Sequence, residues 1–153
     1  KMYGENPHAL AVAMTLLDNE VSFSAPGSRA LTQEIRSLTL ARDEATEDAD
    51  YIFITRGDML ESALLSAKCG TLRDPHRSAT LIIKNAGSAD CRLRLSGPGI
   101  EGARECAATP LVKAALALRD GQRYEYPEGV DMIFVSEAGC LFALPRLTRM
   151  EVL

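Results

Sequence analysis

The chain has no tryptophan, and aromatic residues make up only 5% of its 153 residues. Its two histidines, His8 and His76, and its four cysteines, which form no C-x-x-C pair, predict neither a zinc site nor a local nucleophile and base pair. No apolar run approaches the roughly 20 residues that cross a bilayer. We therefore expect a cytoplasmic protein with reduced cysteines that binds neither metal nor membrane.

Lysine is also scarce: the chain contains four lysines and thirteen arginines. Only Lys84 follows an apolar run that would deliver an amine to a loop, and a charged residue at the solvent end of a strand is the simpler interpretation. The net charge of -4 and the scattered basic residues disfavour general nucleic-acid binding. Arginine suits bidentate contacts with carboxylates and phosphates, which favours anionic ligands or interfaces.

Apolar periodicity predicts alternating helices and strands. The clearest helix is expected over 109–122, with Thr109 as N-cap, Pro110 as first residue and Gly121 as stop. Further helices are expected at 58–70 and after Pro26 and Ser28, where helical spacing links Leu31, Ile35, Leu38 and Leu40. Strands are expected at 20–25, 51–55, 79–86, 91–97, 129–135 and 140–145. This order predicts a layered α/β domain with a mixed sheet.

Three segments do not follow this simple alternation. Residues 9–18 fit either a strand or a helix, and the acidic residues 43–50 are typical of a solvated loop. Gly87 and Ser88 are expected to join the strands at 79–86 and 91–97. The length of 153 residues fits a single domain, and no internal repeat is evident.

The segment SGPGIEG, residues 96–102, is the most phosphate-like feature of the sequence. Its glycines would allow backbone N–H groups near Gly97 and Gly99 to approach an anion, but neither the P-loop nor the Rossmann fingerprint is met. A turn with Pro98 second and Gly99 at positive φ is the favoured interpretation. His76 is expected to be an exposed loop residue, with a ligand or proton-transfer role as the alternative.

The closing residues 129–153 combine two apolar runs with an unusual set of charges. Asp131 stands in an otherwise apolar strand, where a buried carboxylate requires a partner. Arg146 and Arg149 follow the second run. An internal ion pair or interface clamp is the favoured hypothesis, with anion binding or plain solvent exposure as alternatives.

Three blocks, LSGPGI, YPEGVDMIFV and FALPRLTRMEV, resemble the PhnH subunit family of bacterial carbon-phosphorus lyase in order and spacing. Weaker matches are SATLII and HALAVAMTLLDNEVSFS, of which the latter is similar to the first strand pair of that family. Family members usually begin with a helical segment of the type F-R-x-x-L-x-x-M-x-x-P-G, which is not found before GENPHAL. The resemblance thus implies a single PhnH-like domain over residues 1–153 that lacks an N-terminal helical segment.

The resemblance implies a three-layer α/β/α sandwich similar to pyridoxal-phosphate-dependent transferases, without that cofactor. It also implies a homodimer that joins PhnG-, PhnI- and PhnJ-like subunits in the carbon-phosphorus lyase core complex. That complex transfers the ribose triphosphate moiety of ATP to an alkylphosphonate and releases adenine. PhnH would be a non-catalytic or co-catalytic companion in that transferase, and Asp131, Arg146 and Arg149 would fix a hairpin that presents its assembly surface.

Two other functions are compatible with the sequence. The chain could be an independent nucleotide- or phosphonate-binding enzyme that uses SGPGIEG as an anion cradle and Arg146 or Arg149 as a clamp. A diverged pyridoxal-phosphate enzyme would require a lysine such as Lys84 to form an aldimine, and this is the least favoured hypothesis. Ligand binding by the isolated protein would separate the first alternative from an assembly subunit.

Overall fold

The computed structural model describes residues 4–153, which form four α-helices and nine β-strands connected by loops and two short 3-10 turns. The helices are α1 (Pro7–Leu16), α2 (Arg29–Thr39), α3 (Leu60–Ser66) and α4 (Pro110–Gly121). The strands are β1 (Ser22–Ser24), β2 (Arg42–Asp43), β3 (Tyr51–Ile54), β4 (Thr80–Asn85), β5 (Cys91–Ser96), β6 (Arg104–Ala108), β7 (Asp131–Ser136), β8 (Leu141–Leu144) and β9 (Arg149–Val152). The 3-10 turns are Gly57–Met59 and Pro75–Arg77. No helix among residues 4–153 has the length and apolar character needed to cross a membrane.

A six-stranded sheet forms the centre of the domain, with strand order β2-β1-β3-β4-β7-β8. The first five strands are parallel, and β8 runs antiparallel to β7 at one edge. Parallel strands are covered on both faces, which explains why β3 and β4 are short continuous apolar runs. The predicted mixed α/β sheet is confirmed.

Alternate residues of each central strand face opposite layers of helices. Ile52 and Ile54 pack in one core cluster with residues of α3 and α4, whereas Phe53 packs in a second cluster with α1 and α2. The same alternation separates Leu81 from Ile82 in β4. Helices therefore cover both faces of the central sheet.

A second, antiparallel sheet has the order β6-β5-β9 and packs against α4. Its inward residues Leu93 and Leu95 join the core, while Arg94 on the outer face bonds Glu105 and Glu151 of the neighbouring strands. The strands predicted at 79–86 and 91–97 both exist, but they lie in different sheets and do not pair. Leu93 and Leu95 of β5 nevertheless pack in the same core cluster as Leu81 and Ile83 of β4, so the two sheets share one core.

Several local predictions need correction. Residues 7–16 form a helix, so the first strand pair implied by the resemblance is wrong and the helix alternative is confirmed. The helix after Ser28 ends at Thr39, and Leu38 and Leu40 are exposed although their spacing predicted a buried face. The helix expected to end at Gly70 ends four residues earlier, at Ser66. Strands β2, β6 and β9 were not predicted.

The predicted capping of α4 is confirmed. The Thr109 hydroxyl accepts a hydrogen bond from the backbone N–H of Val112 at 3.3 Å, and it donates to Asn85 Oδ1 at 2.6 Å. Pro110 is the first helical residue, where its missing N–H costs nothing, and Gly121 is the last. The cap therefore also ties α4 to the end of β4.

The acidic segment 43–50 is not a plain solvated loop, because Ala49 is buried and Asp50 forms a hydrogen-bond network. One carboxylate oxygen of Asp50 accepts from the backbone and hydroxyl of Ser22, both at 2.8 Å. The other accepts from Lys68 Nζ at 2.6 Å. Burial by itself would raise the pKa of Asp50, but the hydrogen bonds from Lys68 and Ser22 outweigh it and the pKa is lowered.

We expect Asp50 to stabilise the fold above about pH 4 and to lose this effect at lower pH. A carboxyl whose pKa is lower in the folded state stabilises that state while it is ionised, and the contribution disappears as pH falls through the folded pKa. Asp50→Asn should lower the free energy of unfolding at pH 7 by about 1–2 kcal/mol, through weakened hydrogen bonds. Its deficit relative to wild type should shrink below about pH 4.

Urea unfolding at several pH values measures this difference. Glu47→Gln is the matched control, because Glu47 is an exposed carboxylate of the same loop. A wild-type curve that stays parallel to the Asp50→Asn curve down to about pH 2 would contradict the assignment.

Candidate functional site

Asp131 and Arg146 meet at the end of the β7–β8 hairpin. Because the two strands are antiparallel, with Met132 opposite Leu144, the start of β7 lies beside the residues that follow β8. Asp131 Oδ1 accepts from the backbone N–H of Arg146 at 2.7 Å and from its Nε at 3.3 Å, and Oδ2 accepts from Nη2 at 2.5 Å. The predicted pairing of Asp131 with Arg146 is confirmed as a structural contact.

Arg146 also connects the hairpin to a loop distant in sequence. Its Nη1 donates to the carbonyl oxygen of Pro75 at 2.5 Å, in the 3-10 turn before β4. Its side chain is 19% exposed. Gly129 leaves room for the Arg146 stem, since a Cβ at Gly129 would lie 3.1 Å from Arg146 Cβ. Each of the three guanidinium nitrogens of Arg146 therefore has a hydrogen-bond partner within the protein.

Arg119 is a second internal arginine, and the sequence interpretation missed it. Its side chain is only 2% exposed, and it donates to the carbonyl oxygens of Pro145 and Thr148 as well as to the Asp120 carboxylate. It follows Val112, Ala115 and Leu116 on the buried stripe of α4. A charged residue in that stripe is the signal that could have identified it, since such a group requires internal partners.

The glycine segment forms the turn that its composition predicted. The backbone N–H of Ile100 donates to the carbonyl of Gly97 at 3.0 Å, and Gly99 adopts a φ of +82°. Gly97 has a φ of +140°, and a Cβ there would lie 2.8 Å from the carbonyl oxygen of Leu147. Gly97 thus permits close packing of the turn against the segment 145–149.

This packing creates a cleft of about 590 Å³ between the turn, the end of α4 and the segment 145–149. Its walls contain the two internal arginines, Arg119 and Arg146, and the two exposed arginines, Arg123 and Arg149. Neither exposed guanidinium has a hydrogen-bond or ion-pair partner among residues 4–153. Arg149 therefore does not pair with Asp131, which corrects one part of the clamp hypothesis.

His76 lies outside this cleft. It is exposed in the turn Pro75–Arg77, as the sequence indicated, and lines a shallower cavity of about 360 Å³ together with Asp131 and Arg146. No hydrogen bond joins His76 to another of the described side chains. Its position next to Pro75 nevertheless brings it near the same hairpin.

Tyrosines complete the cleft. Burial raises the pKa of the Tyr124 phenol. Electrostatic interaction with the Cys69 thiol raises this pKa further, and interaction with the positive charge of Arg119 lowers it. Tyr124 is therefore a neutral hydrogen-bonding group near pH 7, while Tyr126 lines the cleft with 75% of its surface exposed.

No group of three or more histidine, cysteine, aspartate or glutamate side chains is arranged to hold a metal ion within residues 4–153.

The sequence of the chain matches a known family over residues 3–151. This family is described as the bacterial phosphonate metabolism protein, PhnH. The match covers nearly the whole sequence and confirms the resemblance inferred from the three blocks, so the chain belongs to the PhnH family. No curated protein matches the sequence. Membership gives the chain a role in phosphonate metabolism.

We expect Asp131→Ala to lower the free energy of unfolding by about 1–3 kcal/mol, because partly buried donors of Arg146 lose their acceptor. Asp131→Asn should cost less, since its carbonyl still accepts from the Arg146 backbone. Urea unfolding measures both. Asp58→Ala is the control, because its pair with Arg56 is exposed to solvent and should contribute much less. Equal losses in Asp131→Ala and Asp58→Ala would contradict the assignment.

We expect Gly97→Ala to destabilise the protein by about 1–3 kcal/mol, because the new Cβ would collide with the Leu147 backbone at a φ that side chains rarely adopt. Thermal unfolding measures the effect. Gly121→Ala at the end of α4 is the control, since its Cβ would meet open space and alanine favours helix. If both variants unfold at the wild-type temperature, the close approach at Gly97 is not a constraint.

Proposed function

We propose that the chain is the PhnH-type subunit of a carbon-phosphorus lyase core complex and assembles with PhnG-, PhnI- and PhnJ-like subunits. The observation that carries this proposal is the family match over residues 3–151, which leaves almost none of the sequence outside the family. The complex would act in the cytoplasm on alkylphosphonates. It would transfer the ribose triphosphate moiety of ATP to the phosphonate and release adenine.

In this assignment the chain supports the transfer as a non-catalytic or co-catalytic subunit, and a PhnI-like subunit carries out the chemistry. The expected similarity to pyridoxal-phosphate-dependent transferases and the expected absence of that cofactor remain part of the proposal. The proposal gives Asp131 and Arg146 a role in positioning rather than in reaction, because their polar groups are already paired within the protein. They hold the β7–β8 hairpin against the Pro75 turn.

The free edge of β8 supports an assembly role. This strand ends the central sheet, and its outer backbone groups have no neighbouring strand in the described chain. Leu141 is 61% exposed on the side of α1, and Phe142 is 36% exposed beside Phe134 on the other side. An edge strand with apolar side chains on both faces is a favourable surface for another protein chain. We assign the β8 edge to contact with a second copy or with a partner subunit.

Omission of this chain should abolish adenine release by the assembled complex. The measurement is co-purification of the PhnG-, PhnI- and PhnJ-like subunits with and without this chain, followed by an assay for adenine from ATP and methylphosphonate. A complex that assembles and releases adenine at the full rate without the chain would contradict the proposal. Addition of the purified chain to the deficient complex is the control, and it should restore the activity.

Co-purification also tests the assignment of the β8 edge as a contact surface. Leu141→Lys should prevent co-purification or dimerisation, because it places a charge on the apolar edge. Leu65→Lys is the matched control, since Leu65 is 57% exposed on α3, away from β8. Unchanged assembly of Leu141→Lys, measured by light scattering and co-purification, would place the contact elsewhere.

A further inference from the structure

We propose that the cleft between the Gly97 turn, the end of α4 and the segment 145–149 binds a multiply charged phosphoryl ligand, with Arg123 and Arg149 as its direct contacts. This site is distinct from the β8 edge and does not depend on the proposed assembly. It also differs from the glycine cradle considered from the sequence, because Arg146 is occupied internally and Gly97 is used for packing.

The first argument is the contrast between paired and unpaired arginines. Arg119 and Arg146 direct their donors to carbonyl oxygens and carboxylates of the protein. Arg123 and Arg149 line the same cleft and have no such partner among residues 4–153. A guanidinium presents a planar set of donors that matches phosphate oxygens, so two unpaired guanidiniums in one cleft form a receptor for a phosphoryl anion.

The second argument is charge. Arg119 is paired with Asp120, and Arg146 with Asp131. The unpaired charges of the lining are then two arginines, Arg123 and Arg149, and one carboxylate, Glu128. The chain as a whole carries a net charge of -4. The cleft is thus locally positive in an acidic protein, and charge on one wall of a concavity concentrates anions there.

The third argument is a polar group in the wall that the protein leaves unused. The side chain of Thr148 is buried, and its hydroxyl oxygen has no hydrogen-bond partner among the described residues. The hydroxyl oxygen itself has almost no accessible surface, so a ligand would reach it only through an ordered water or a small shift of the segment 145–149. Such pairing would remove the cost of an unpaired buried hydroxyl. In the sequence, Thr148 lies between the internal Arg146 and the exposed Arg149.

Size and shape set the class of ligand. The cleft volume of about 590 Å³ lies within the range of small-molecule and cofactor sites and exceeds the needs of a single phosphate ion. The exposed Tyr126 ring at the same cleft offers an aromatic face, while the neutral Tyr124 phenol offers a donor. A phosphate chain, free or attached to a ring, fits these features.

The walls are already held in place. Arg119 fixes the carbonyls of Pro145 and Thr148, and Arg146 fixes the same segment to Asp131 and the Pro75 turn. Arg149 therefore ends a segment that is tied at several points, and Arg123 follows the end of α4, which Arg119 joins to that segment. Such preorganisation lowers the entropic cost of binding.

Isothermal titration of the isolated chain with metal-free ATP, tripolyphosphate and adenosine tests the site. We expect saturable binding of ATP and tripolyphosphate and none of adenosine, with affinity that decreases as salt increases. Tighter binding of ATP than of tripolyphosphate would assign the Tyr126 face to a nucleotide ring, and equal binding would assign the site to a phosphate chain alone. Absence of saturable binding by both charged probes would overturn the proposal.

Substitution of the two exposed arginines tests whether the phosphoryl ligand binds at this cleft. Arg123→Gln and Arg149→Gln should each weaken it by about tenfold or more, the effect of losing a charge-assisted hydrogen bond. Both side chains are exposed and unpaired, so unfolding temperatures should not change. Arg36→Gln removes an equivalent exposed charge from α2, on the opposite face of the sheet, and should leave affinity within about twofold. An equal loss in Arg36→Gln would show general surface attraction and overturn the site.

This experiment is independent of the assembly assay. The isolated chain can bind the probes whether or not it joins the core complex, and it can assemble without binding them. Failure of one proposal therefore leaves the other standing. The complex containing Arg149→Gln adds a further readout: a raised concentration of ATP for half-maximal adenine release, with unchanged co-purification, would support ligand binding at this cleft within the assembly.

Discussion

The carboxylate of Asp131 connects three segments that are far apart in the sequence. It binds both the backbone and the guanidinium of Arg146, and Arg146 in turn reaches the carbonyl of Pro75. Because the pair lies where β7 begins and β8 ends, it holds the antiparallel edge of the sheet to the turn that precedes β4. This connection helps to hold the segment 145–149, against which the Gly97 turn packs to form the cleft.

The four arginines of the cleft divide into two pairs with different physical roles. Arg119 and Arg146 are buried or nearly so, and a charge in that position is tolerated only when its donors are satisfied. They bind backbone carbonyls that no strand or helix uses, and they replace regular secondary structure as the means of fixing an irregular segment. Arg123 and Arg149 remain in contact with solvent at the rim. The internal pair shapes the concavity, and the external pair gives it a charge.

Sequence patterns predicted the parts of the fold that depend on local chemistry. The cap, start and end of α4, the Gly97–Ile100 turn and the apolar strands β3, β4 and β7 follow from capping, turn preference and burial. The partnership of Asp131 and Arg146 followed from the cost of an isolated carboxylate in an apolar strand. The family was also evident from three sequence blocks.

Other features could not be predicted locally because they depend on tertiary contacts. Residues 9–18 lack a distinguishing period, and only packing against α2 and β7 separates helix from strand there. The charged segment that contains β9 has no typical strand composition, and pairing with β5 makes it a strand. Arg119 and Arg123 belong to the cleft only because α4 ends beside the segment 145–149. Separation of β4 from β5 into two sheets likewise depends on the strands that each one pairs with, β3 and β7 for β4 and β6 and β9 for β5.

The position of β5 has a consequence for the order of folding during synthesis. It is the middle strand of the small sheet, with β6 close by in sequence on one side and β9 on the other. Arg94 of β5 and its partner Glu151 of β9 are 57 residues apart, so the ribosome adds β9 long after the β5–β6 hairpin can form. One edge of β5 consequently stays open throughout that interval. The nascent chain presents a temporary strand template, and prompt closure by β9 protects it from pairing with other chains.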